Sequence, residues 1–111
     1  MKMLVLNQSE VEQLLTMNEC IDVMAEALTA LARGEANQPL RTALVPPKTA
    51  GVLGLMPAYR GGEAAKYGLK AVCVFPENPS RGLDSHQGGV LLFTCSATNP
   101  NGLSGTVALS C

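Results

Sequence analysis

Arg41, Lys70 and His86 are the side chains of this 111-residue chain best placed to do chemistry. Arg41 follows Pro39-Leu40, and its guanidinium could grip a carboxylate through two parallel N–H donors. Taken alone, it also fits a solvated surface arginine, the commoner fate of that residue type. Lys70 interrupts the apolar run Leu69 to Phe75. In a strand buried on both faces it would need a carboxylate partner or a ligand, whereas simple alternation would turn it to solvent. His86, the only histidine, and Gln87 follow Ser85 at the end of a Pro- and Gly-rich loop, a setting that suits pocket-lining groups held by rigid strands. A single histidine is as readily a structural hydrogen-bonder. Met56, before Pro57, reads from sequence alone as core filler.

Other chemistries lack their residues. One histidine without close companions does not make a metal site. The cysteines at 20, 73, 95 and 111 have no close pairing of the metal-knuckle or redox type, so reduced thiols in a cytoplasmic protein are expected, with Cys73 a small apolar strand residue. No Ser/His/Asp or Cys/His assembly is evident. No Gly-x-Gly-x-x-Gly follows a strand, and there is no Walker-type phosphate loop.

With 47% apolar and 15% charged residues, the chain suits one small globular domain. A net charge of -1 and eight scattered Lys and Arg give no basic stripe for phosphates, so nucleic acid is not an expected partner. The apolar start at Met3 to Leu6 is too short for a signal peptide, and the charge-free stretch after Asp84 is broken by Asn99-Pro100-Asn101-Gly102, so no membrane span is expected.

The elements that must carry these residues begin with a short strand at 3–6. Asn7-Gln8-Ser9-Glu10 caps a brief helix through Leu15, and Thr16-Met17-Asn18-Glu19 opens a longer one. Along that helix Ile21, Met24, Ala25, Leu28, Leu31 and Ala32 share a face, and Arg33-Gly34 ends it. Four strands are expected at Arg41 to Val45, Val52 to Tyr59, Leu69 to Phe75 and Val90 to Cys95. Helices first and adjacent strands afterwards give an α+β class, with N-terminal helices packed on a largely antiparallel sheet.

Several segments, taken in order, carry a family likeness: Met17-Asn18-Glu19-Cys20-Ile21 entering the long helix, Gln38-Pro39-Leu40-Arg41-Thr42, Leu53-Gly54-Leu55-Met56-Pro57-Ala58-Tyr59, Gly68-Leu69-Lys70, Phe75-Pro76-Glu77-Asn78-Pro79 and Ser85-His86-Gln87-Gly88. Through them the chain resembles the substrate-binding and dimerisation part of the ornithine cyclodeaminase/mu-crystallin family. That resemblance implies hydride transfer between NAD(P) and an amino acid or cyclic imine, as when ornithine gives proline with loss of ammonia. It implies Arg41 as the carboxylate binder, Lys70 as a catalytic lysine beside the carboxylate and the reacting carbon, and Met56, His86 and Gln87 as further substrate-binding positions. The partners it implies are a small amino-acid or cyclic imine carboxylate and a second subunit, either a copy of this chain or a full-length homologue.

The likeness spans residues 1–93, with 94–111 expected as a divergent uncharged tail in which Gly105-Thr106 is the remnant of a family turn. The family's NAD(P)-binding domain is absent from the sequence, so no cofactor is expected to bind this chain alone, and the chain alone is expected to be inactive. Two other readings stay open: a non-catalytic binding or dimerisation protein, and a truncated product without function.

Overall fold

The computed structural model describes residues 2–62, 65–94 and 103–110. Two helices accompany a seven-stranded sheet of order β1-β7-β6-β5-β4-β2, with β3 also paired to β4. The strands are β1 (Lys2–Leu6), β2 (Ala36–Asn37), β3 (Thr42–Leu44), β4 (Val52–Arg60), β5 (Lys66–Val74), β6 (His86–Thr94) and β7 (Leu103–Ser110). All pairings are antiparallel except β1 with β7. The α+β reading of the sequence therefore holds.

Both helices start where side chains replace missing backbone partners. At α1 (Gln8–Leu14), Asn7 Oδ1 accepts from the Glu10 amide at 3.0 Å while Glu10 accepts from the Asn7 amide at 2.8 Å. At α2 (Met17–Ala32), Thr16 and Glu19 close the same reciprocal box, and the Thr16 hydroxyl also donates to Glu19 at 2.7 Å. Those hydrogen bonds from Thr16 hold the Glu19 carboxyl below its ordinary pKa, because they favour its ionised form. Gly34, at φ 75°, ends α2 in the left-handed conformation that glycine adopts without a Cβ clash.

The strands run longer than their apolar runs suggest. β5 begins at Lys66, and β6 begins at His86, so His86 and Gln87 are the first residues of a strand and not the end of a loop. The reason lies at Gly88. A Cβ there would run into the carbonyl oxygen of Ala71 and come within 2.8 Å of Val72 Cα, so glycine permits β5 and β6 to close together. Pro57 is tolerated inside β4 because it falls between the stretches bordered by β3 and by β2, where no neighbour is paired on that edge. The stretch expected as a divergent tail includes β7, in which Gly105 and Thr106 pair with Phe93 and Leu92 and form no turn. The two-residue β2 and a 3-10 turn at Asn78–Arg81 carry no pattern in the sequence. Cys95 and Cys111 lie outside the described residues.

Packing is thin. Ala30 of α2 is the buried apolar side chain among the described residues, and the Val, Leu and Met side chains of β4 to β6 all keep some exposure. The accessible surface of 8413 Å² compares with about 5,800 Å² for a compact monomer of this size. Both sheet faces thus keep apolar surface that a closed fold would cover. No helix among the described residues is long and apolar enough to cross a membrane.

Two substitutions test these local devices by denaturant unfolding. Gly88→Ala should lower stability by about 1–3 kcal/mol, since the added methyl meets backbone and not a movable side chain. Thr16→Ala should lower it by about 1 kcal/mol through loss of the cap. Because the folded pKa of Glu19 is depressed, its contribution is present above the unfolded carboxylate value and fades as pH falls through the folded one. Thr16→Ala should remove that acid-side dependence.

Candidate functional site

Side chains alternate along a strand, and residues directly opposite each other on neighbouring strands share a face, so the ladder registers sort every strand residue. Met56 pairs with Lys70, and Lys70 with Val90. On the other side of β4, Thr42 pairs with Leu55, and continuing that register by one pair sets Arg41 opposite Met56. Met56, Lys70 and Val90 consequently form one row across three strands, with neighbours about 5 Å apart at Cβ, and Arg41, the residue before β3, stands beyond the Met56 end of it. Arg41 and Lys70 flank Met56, and both are exposed.

His86 shares this face but not this row. It pairs with Val74, and its four-residue separation from Val90 along β6 puts it about 13 Å from the row. Its Nδ1 shares a 2.9 Å hydrogen bond with the hydroxyl of Ser85. Gln87 pairs with Cys73 and, one residue further on, points to the opposite face. Of the five residues singled out from the sequence, three are brought together, one lies along the same face and one lies behind it.

The two faces differ in kind. Arg41, Arg60, Lys66, Lys70 and His86 all lie on the face that carries Met56, and β2 to β6 contain no Asp or Glu. No ion pair among the described residues neutralises Arg41 or Lys70. The opposite face carries Leu53, Leu55, Leu69, Ala71, Cys73 and Leu91 with no charge, and at its end Tyr59 and Tyr67 pack with ring centroids 4.8 Å apart. Arg60 and Lys66 were not singled out from the sequence. The four-residue spacing of Lys66 and Lys70 within one strand is the signal that would have found the second cationic row.

Beside the Arg41–Lys70 row the next row is apolar: Ala58, Gly68 and Leu92, joined by Met24, Leu28 and Leu31 of α2 around a groove of about 350 Å³. A carboxylate on Arg41 and Lys70 would have its substituents over Met56 or toward this groove. Among the described residues no three His, Cys, Asp or Glu side chains converge as metal ligands. No described strand-to-helix junction carries a glycine turn; the β1 to α1 step passes through Asn7 alone. A dinucleotide pyrophosphate has no cradle there.

The sequence pattern of the ornithine cyclodeaminase/mu-crystallin family matches residues 1–110. An alanine dehydrogenase of Archaeoglobus fulgidus is 41% identical over 83 residues, which are 75% of this chain and 24% of that protein. The structure of an archaeal alanine dehydrogenase dimer with bound NAD superposes with a TM-score of 0.81 at 33% identity, covering 98% of this chain and 31% of the other. That of the Thermococcus litoralis Δ1-pyrroline-2-carboxylate reductase, in complex with NADH and L-proline, gives 0.78 at 31% identity, covering 96% and 31%. This chain therefore spans from a quarter to a third of the length of these relatives.

Proposed function

Because the chain belongs to the ornithine cyclodeaminase/mu-crystallin family, we propose that it is the substrate-binding part of an NAD(P)-dependent hydride-transfer system acting on a small amino-acid or cyclic imine carboxylate, and that it assembles as a homodimer. The observation that carries this reading is the pairing of Lys70 with Met56, with Arg41 placed just ahead of the β3 strand that pairs with the preceding residues of β4, and no ion pair among the described residues on either cation.

Arg41 is the carboxylate binder, presenting a planar fork on the flank of β3. Lys70 supplies a second charge-assisted donor to the same carboxylate and, at the α-carbon end, a group able to hold or release a proton. Met56 packs against the substrate's apolar body between them. His86 serves at the margin, on the same face near the entry of β6, whereas Gln87 pairs with Cys73 on the opposite face. The hydride chemistry would come from NAD(P), for which the described strand-to-helix junctions offer no glycine turn. A relative's name supports the substrate class: the reductase above holds L-proline, a cyclic amino acid.

Isothermal titration of the chain with L-proline, L-alanine and L-ornithine tests the site. Arg41→Gln and Lys70→Met should each weaken carboxylate binding by about tenfold or more, the worth of one charge-assisted hydrogen bond. Gln87→Ala should leave it unchanged. Binding indifferent to both cations would refute the assignment. With NADH and the matching imine added, the chain by itself should give no turnover in an absorbance assay; measurable oxidation of NADH would show that a cofactor site exists here after all.

A further inference from the structure

The second cationic row, at the opposite end of β5 from His86, has no part in the site described above. Arg60 of β4 stands directly opposite Lys66 of β5. Like charges so placed repel across the ladder and destabilise the pairing of the two strands. Both side chains are exposed, and no ion pair among the described residues engages either one. Arg60 also borders a polar hollow with Glu26 and Glu35, but neither acid closes a salt bridge to it. Arg33, at the C-terminal cap of α2 in the same hollow, offsets the negative end of the helix dipole.

These two cations border the groove between α2 and the sheet. Met24, Leu28 and Leu31 form its helix side, and the Ala58–Gly68–Leu92 row forms its floor. Asn37 and Gln38 stand with Arg60 and Lys66 at its polar margin. The floor is low because Gly68 has no side chain. A Cβ there would meet nothing nearer than the Leu91 carbonyl oxygen at 3.9 Å, so packing does not require glycine at this position. Glycine inside a strand gives up side-chain contacts and marks places where another group comes close to the backbone. The groove's volume of about 350 Å³ lies at the lower end of the range of small-molecule sites. From Met24 to Leu31 the helix advances about 10 Å, a distance that an extended chain covers in about eight or nine bonds.

We infer that this groove binds a straight-chain monocarboxylate of about eight to ten carbons, its head on Arg60 and Lys66 and its chain laid between α2 and the Ala58–Gly68–Leu92 row. A carboxylate suits the pair of cations. Arg60 offers a planar fork of N–H donors and Lys66 an ammonium, and one anion between them replaces a repulsion by two attractions. The side-chain amides of Asn37 and Gln38 add neutral donors at the margin. Beyond the head, the named helix and floor residues are all apolar, which favours a hydrocarbon chain over a polar one. The site is separate from the Arg41–Lys70 site, because four residues of β5, about 13 Å, lie between Lys66 and Lys70.

Isothermal titration of the full chain with acetate, hexanoate, octanoate and decanoate tests the site. Affinity should rise about fourfold for each methylene added, the ratio that burying one methylene gives, and level off near decanoate, where the groove is full. Arg60→Gln and Lys66→Met should each weaken octanoate binding about tenfold, and Arg41→Gln should leave it unchanged. Gly68→Val should weaken it by at least about tenfold, because the new side chain fills the floor. Circular dichroism of that variant should match the wild type, since a Cβ at this position is unopposed and valine favours strands. Leu28→Gln, at a 60% exposed position of α2, is the second variant should Gly68→Val disturb the sheet. Octanoate that binds no tighter than acetate, or that is indifferent to both cations, overturns the proposal. Binding lost on Arg41→Gln and kept on Arg60→Gln also overturns it, by moving the carboxylate to the other row. So does an affinity that falls as protein concentration rises, since a second copy would then occupy the groove.

Discussion

Cross-strand register in β4, β5 and β6 is the constraint on which the rest of the structure depends. A strand has a side-chain period of two, so a slip of one residue in β5 would carry Lys70 and Lys66 to the uncharged face and bring Leu69 and Cys73 into the cationic one. Two features pin that register. Gly88 lets β6 close against β5 at Val72, a fit that no residue with a Cβ could make. Pro57, which cannot donate to a ladder, falls where the outer edge of β4 is unpaired, between the residues that pair with β3 and those that pair with β2. With register fixed, the Met56–Lys70–Val90 row follows, with Arg41 entering β3 beside it.

The same register divides the molecule electrostatically. α1 and α2 contain five acids and no base, whereas the paired strands β2 to β6 contain bases and no acid. A net charge of -1 conceals this separation. The cationic face is suited to a carboxylate because nothing on the sheet competes for the cations, and the helices keep their acids at helix beginnings and outward positions. The Glu10 and Glu19 carboxylates in particular are already engaged by their own caps.

Much of this was legible in the residues. Both helices were located through Asn7 and Thr16, because capping is a local reaction between a side chain and amides three residues away. The end of α2 at Arg33-Gly34 was legible for the same reason. The strand cores around Leu53 and Val72 showed as apolar runs. What escaped was non-local. Gly88 and Gly89 look like a turn until the proximity of Val72 is known, which is why His86 and Gln87 were expected on a loop. Leu103 to Ser110, with no charge and no alternation, yields a strand only because β1 and β6 lie on either side of it. Of the site, the sequence offered the residues and the family likeness supplied their roles; which of them share a row needed the pairing of three strands.

β7 runs parallel to β1 and antiparallel to β6, between the two, with Lys2 opposite Leu103. β1, ahead of every other described strand in the chain, therefore has no described partner in the sheet until β7, the last described strand, has been made. Throughout that interval β1 is a short apolar segment without a ladder, and the outer edge of β6 is open to any passing strand. Closing so distant a contact is the slowest kind of step for a small domain, since loop entropy is lost before any pairing is gained. The first described strand is thus the last to find its partner, and the chain's exposure to chaperones and to misassociation is set by its topology more than by the apolar content of any one strand.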